Sequence, residues 1–283
     1  MHIYRTELKK LITRTSFWVI VLLLLGIVFL DFYLTCRHYA GQPLSEIPSA
    51  YDLIVISNEY SGSLGTMFFQ SFIFILIVAL IGSDTFFIEK EHGIQNFVFT
   101  RVQRKKYVLS QAAAVMTTVF LTMFFMILIS QLLALTAFPF QGYMIDDSIA
   151  YNSLLAHPSY IFSKLDAYFP YLNNIVYAVL WGIVGAVFSL LSYSLAFLHQ
   201  LKRHTIVLIP SILFLAYNLV TSQMAGYILK TSQNIPLAQA VETYLLKRNG
   251  TGSIWVYVGI LLVIVIGSVG LIWRGLHNDQ ELL

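Results

Sequence analysis

Six apolar runs, each about as long as a membrane-spanning helix, divide this chain and leave it few ways to fold. They lie near residues 16–34, 67–87, 110–138, 172–198, 206–229 and 254–276. Crossing the roughly 30 Å hydrocarbon layer takes about 20 mostly apolar residues in a helix, because only a helix or a closed barrel satisfies its backbone there without water. The expected fold is therefore an all-α integral membrane protein, with six transmembrane helices in a single domain over residues 1–283. Composition agrees, since 58% of residues are hydrophobic and only 11% charged, against about 25% charged in an ordinary soluble domain. The fifth run is the weakest. Pro210, Asn218 and Gln223 interrupt it, and a shorter span followed by a re-entrant piece is the alternative.

Charge orients the bundle. Of 17 Lys and Arg residues, twelve fall on one side: Arg5, Lys9, Lys10 and Arg14 before the first run, Lys90, Arg101, Arg104, Lys105 and Lys106 after the second, Lys202 and Arg203 after the fourth, and Arg274 at the end of the last. Arg37, Lys164, Lys230, Lys247 and Arg248 fall on the other. The basic side is expected to be cytoplasmic, with both termini inside. The first run spans, and no small-residue cleavage site follows it, so it reads as an uncleaved anchor and not as a signal peptide. A net charge of +3 is no nucleic-acid signature, and a single cysteine, Cys36, allows neither an intrachain disulfide nor a thiolate metal cluster.

Ahead of the first run, Ile3, Leu8, Leu11 and Ile12 share one helical face while the four cations lie largely elsewhere. That is the pattern of a short helix, residues 1–15, lying in the inner interface. The cytoplasmic connection after the second run is charged at both ends and apolar in its middle. Glu89, Lys90 and Glu91 open it, Phe97, Val98 and Phe99 occupy the centre, and Arg104-Lys105-Lys106 close it. Each large apolar side chain left in water costs about 1.5–3 kcal/mol, so the centre should pack against something. Carboxylates sit poorly beside anionic head groups, which favours a basic or hydrogen-bonding protein groove over the lipid surface.

In these features the sequence resembles the membrane subunits of ABC exporters of the class that moves drugs, peptides and polysaccharides out of cells. In that family the second span runs into a glutamate-rich turn, then a glycine usually followed by threonine, a short apolar helix and a basic cluster leading into the third span. Glu89, Glu91 and Gly93, then Phe97 to Phe99, then Arg104-Lys105-Lys106-Tyr107 follow this order. Ile94 departs from it, standing where threonine is common, and no proline or glycine precedes the basic cluster. The resemblance implies that residues 89–106 form a coupling segment whose helix, 89–99, sits in a groove of a separate ATP-binding subunit. It implies Glu89, Glu91, His92, Gly93, Phe97 and Phe99 as the contacts, and residues 1–15 as the family's interfacial connecting helix. Two ATP-binding subunits holding ATP and magnesium, and a second copy or paralogue of this chain in the bilayer, complete the implied assembly. Similarity to small two-component bacterial exporters points to amphipathic peptides as cargo, of the toxin, bacteriocin or phenol-soluble modulin type, and to the bacterial plasma membrane.

The chain carries no machinery of its own for this work. It has no G-x-x-x-x-G-K-[ST] phosphate cradle, so fuel must be handled elsewhere and the subunit is not expected to be an enzyme. It has no H-E-x-x-H and no paired cysteines for zinc, and Ser130, Ser189 and Ser192 have no histidine in their spans to serve as a base. His92 and His204 read as solvated cytoplasmic residues. Asp31 and Asp84 stand near span ends and read as interfacial, which weakens an ion-coupled secondary transporter as the alternative. A cargo-binding immunity or sensor protein is the other alternative. Gly182, Gly185, Ala186 and Ser189 set small residues at helical spacing, fit for close helix packing within the bundle or across a dimer.

Overall fold

The computed structural model of the chain describes residues 2–54, 74–91, 98–141, 162–198, 202–232 and 254–278, and these are all-helical, with no strand among them. In chain order the helices are α1 (His2–Thr13), α2 (Thr15–Tyr39), α3 (Phe74–Glu91), α4 (Arg104–Ala137), the short α5 (Ser163–Tyr168), α6 (Pro170–Leu195), α7 (Arg203–Ser232) and α8 (Ile254–Asn278). Five of them, α2, α4, α6, α7 and α8, are long and apolar enough to cross a membrane. α3 covers residues 74–87 of the second expected span, and the rest of that run, 67–73, lies outside the described residues. α7 is one helix through Pro210, not a short span with a re-entrant piece. Pro210 and Ser211 are both buried at this turn.

The bundle is built around α6, the most enclosed of the long helices, which packs against α3, α4, α7 and α8. Its contact with α4 is the most extensive in the molecule, and small residues make it possible. A Cβ on Gly182 would stand 2.7 Å from the Phe120 ring and 3.1 Å from the Phe120 carbonyl, and one on Gly185 would stand 3.2 Å from Val119. The small-residue stripe read in the sequence is therefore used inside the chain. A further close approach, not read there, occurs where Gly275 of α8 meets Phe197, whose Cβ would lie 2.7 Å from an added methyl.

Two apolar clusters stack along the bundle. One, around Trp181, Phe74, Met123 and Phe214, fills its middle. The other joins Leu11 of α1 to Val108, Tyr193, Phe197, Ile206 and Leu276, and so gathers the ends of five helices at the basic side. At the opposite side the segment after α2 folds back onto α4 and α6. Gln131 donates to the Ala50 carbonyl (3.1 Å), Asn174 to the Tyr51 carbonyl (3.0 Å), and the Ala50 amide to the Pro139 carbonyl (2.9 Å). Between α4 and α6, Tyr168 and Phe169 are exposed, while Tyr143, Tyr151 and Tyr160 lie outside the described residues.

Candidate functional site

α4 is 34 residues long, about 51 Å at 1.5 Å per residue, so it outreaches the roughly 30 Å hydrocarbon layer by several turns. Its first turns, Arg104 to Thr117, are the less apolar part, and α1 packs along them. Tyr4 donates to Thr117 Oγ1 (3.1 Å), while Glu7 and Lys10 reach the level of Gln111 and Tyr107. α1 is thus docked on the protein, with its apolar residue Leu11 only 3% exposed.

Between α1, α3, α4 and α6 lies a buried polar network centred on Glu89, which is 1% exposed. Its carboxylate accepts from the Lys10 ammonium, from the Tyr107 hydroxyl (2.7 Å) and from Gln111 Nε2 (2.9 Å). Glu7, 5% exposed, lies against the same groups, 3.3 Å from both the Tyr107 hydroxyl and Gln111 Nε2 and 3.9 Å from the Lys10 ammonium. Tyr193 of α6 completes the arrangement by donating to Gln111 Oε1 (2.9 Å). With its carbonyl oxygen engaged in that way, the Gln111 amide turns its NH2 toward the two carboxylates. Every partner of the Glu89 carboxylate is supplied by another helix, so the network pins four helices at one point. Burial pulls the Lys10 ammonium below the ordinary lysine value, the Glu7 carboxylate partly offsets this, and Arg14 reinforces it.

The residues expected to contact a partner divide into three groups. Glu89 faces the interior, with its carboxylate engaged inside the chain. Phe99 is half-buried, its ring 5.9 Å from that of Tyr107 and 5.2 Å beneath the Arg104 guanidinium, so the end of the connection leans on the same network. Glu91 ends α3, and His92, Gly93 and Phe97 lie outside the described residues. Asp31, read as interfacial, is 4% exposed and covered by protein.

Sequence reasoning missed Glu7, Lys10, Tyr107, Gln111 and Tyr193 as a unit. The signal available was a glutamate in an otherwise basic N-terminal segment and a glutamine and tyrosine near the start of an apolar run. Neither says which residues meet, because Lys10 and Glu89 are separated by 79 positions and Glu7 and Gln111 by 104. Among the described residues no group of histidine, cysteine, aspartate and glutamate is arranged to hold a metal ion. No family model, curated protein or solved structure matches the chain.

Proposed function

We propose that this chain is the membrane subunit of an ATP-driven exporter that moves amphipathic peptides out of a bacterial cell. In this reading six spans cross the plasma membrane with both termini in the cytoplasm. Two copies, or this chain and a paralogue, form the pathway, and two separate ATP-binding subunits hold ATP and magnesium. The observation that carries the reading is the network on Glu89. The cytoplasmic connection between α3 and α4, residues 92–103, starts three residues after a carboxylate locked to α1 and α4, and its Phe99 lies against Tyr107 of the same network. A push on such a connection is passed to four helices together, where a slack loop would absorb it. Glu91, His92, Gly93 and Phe97 are the proposed contacts with the ATP-binding subunit, while Glu89 and Phe99 hold the connection from within.

The test is purification of the tagged chain from its native membrane, with identification of the proteins that accompany it and an ATP hydrolysis assay. A stoichiometric ATPase that is lost when residues 92–97 are replaced by a neutral polar loop is the expected result. A chain that emerges alone and hydrolyses nothing overturns the proposal. The buried Asp31 in α2 favours a second reading, an ion-coupled carrier, since carboxylates covered within a span mark ion and proton pathways. Transport that survives removal of the ATPase and collapses with the ion gradient would select it.

A further inference from the structure

A serine hydroxyl buried in a helix can bond back to a carbonyl of the preceding turn, which removes its need for any other partner. Ser189, Ser194 and Ser268 do so, donating to the Ala186 (2.8 Å), Leu191 (2.7 Å) and Ile264 (2.8 Å) carbonyls. Ser192 of α6 and Ser211 of α7 do not. Each is wholly buried, and neither Oγ has a hydrogen-bond partner among the described residues. A hydroxyl buried in this state has given up its bonds to water without replacement, so it calls for a partner from outside the chain.

The two hydroxyls stand at one height where three helices meet. α6 packs on both α3 and α7, and α3 packs on α7, so the three enclose a common seam. The rings of Phe188 on α6 and Phe214 on α7 meet edge to face at 5.5 Å, which sets the register of that pair. α6 ends and α7 begins at the basic side, where Tyr193 and Ile206 share one apolar cluster. Toward that side Ser192 lies four positions beyond Phe188, and Ser211 lies three positions from Phe214. Spacings of three and four keep both serines on the helix faces that bring the two rings together. At 1.5 Å per residue they sit about 6 and 4.5 Å from the ring contact, level to within about 2 Å.

We propose that one ordered water molecule occupies this seam and hydrogen-bonds to both Ser192 Oγ and Ser211 Oγ, joining α6 to α7 beside Pro210. Both groups are neutral hydroxyls that can donate or accept, the kind of partner an internal water takes. A cation would instead place charge inside the bundle among neutral oxygens, which is costly. The position also suits the helix, since Pro210 leaves α7 one backbone bond short and ordered water is one means by which a span containing proline is re-satisfied. The site is independent of the cargo and of the energy source.

The experiment uses the full-length chain in neutral detergent. Ser192→Ala and Ser211→Ala should each lower the thermal midpoint by about 2–4 °C, because each leaves the water and the remaining hydroxyl without a partner. The double variant Ser192→Ala/Ser211→Ala should lose less than the sum of the two, since the second substitution removes a hydroxyl already deprived of its bridge. A dry seam gives the opposite sign, because alanine then removes an unpaired polar group and raises the midpoint. A raised or unchanged midpoint in either single variant overturns the proposal, as do additive losses in the double variant. A density map of the unaltered chain that resolves ordered solvent gives a reading free of any substitution. One peak within hydrogen-bond distance of both Oγ atoms is expected. A seam without that peak, or hydroxyls bonded instead to protein groups, overturns the proposal. So does a midpoint that falls when sodium and potassium are replaced by choline in the unaltered chain but not in the double variant, which makes the seam a cation site.

Discussion

A carboxylate at 1% exposure has no water to fall back on, so Glu89 depends wholly on Lys10, Tyr107 and Gln111. Such a group adds little net stability when intact, because its desolvation offsets its attractions, but dismantling one side leaves the other stranded. Glu89→Ala should destabilise the chain by about 3–5 kcal/mol, read as a lowered thermal midpoint in detergent. Tyr193→Phe removes the hydroxyl that orients Gln111 and also lies 3.3 Å from the Val108 carbonyl, and should cost about 1 kcal/mol. If the two substitutions cost the same, the network is not centred on Glu89. Lys10 is half-exposed, and water can replace part of what it supplies, so a loss smaller than that of Glu89→Ala is expected for Lys10→Met, measured in the same way.

Helices α4 and α6 approach closely because Gly182 and Gly185 remove the atoms that would hold them apart. Gly182→Ala should cost about 1–3 kcal/mol through its collision with the Phe120 ring and carbonyl, and Phe120→Leu in the same chain should restore part of it. An additive double variant would show that the two positions do not touch. α1 belongs to the same scale. Deleting residues 2–13 withdraws Leu11 from the apolar cluster at the basic end and Lys10 from Glu89, so it should lower the thermal midpoint more than any single substitution in α1. An N-terminal segment that only set topology would leave the midpoint where it was. α7 runs unbroken across Pro210, which is buried.

For the whole molecule, the exporter proposal predicts that Glu91→Arg leaves the chain inserted while uncoupling ATP hydrolysis from export. Export unchanged in cells, with ATPase still bound, would remove Glu91 from the contact. Much of the architecture was legible in advance. Five expected spans correspond to helices of membrane-crossing length and composition, and the helix before the first span is present, because apolar length and periodicity are local properties of a chain. The site was legible only in outline. The run from Glu89 to Phe99 drew attention by its charge and aromatic content, but neither that content nor the contact role the resemblance implies for Glu89 reveals that its side chain is buried within the chain.

That the chain is helical and apolar enough to lie in a membrane, and which ends of its spans carry the positive charge, can be read from the residues in order. Those features follow from residue types read a few positions at a time. The fold settles which cations stay exposed and that Glu7 and Glu89 are withdrawn from the surface. It also decided that the small residues of α6 serve α4, and that α1, α3, α4 and α6 meet at one carboxylate. Each of these depends on contacts between residues tens of positions apart, and hydrogen-bonding capacity in a sequence does not say where a partner will be found.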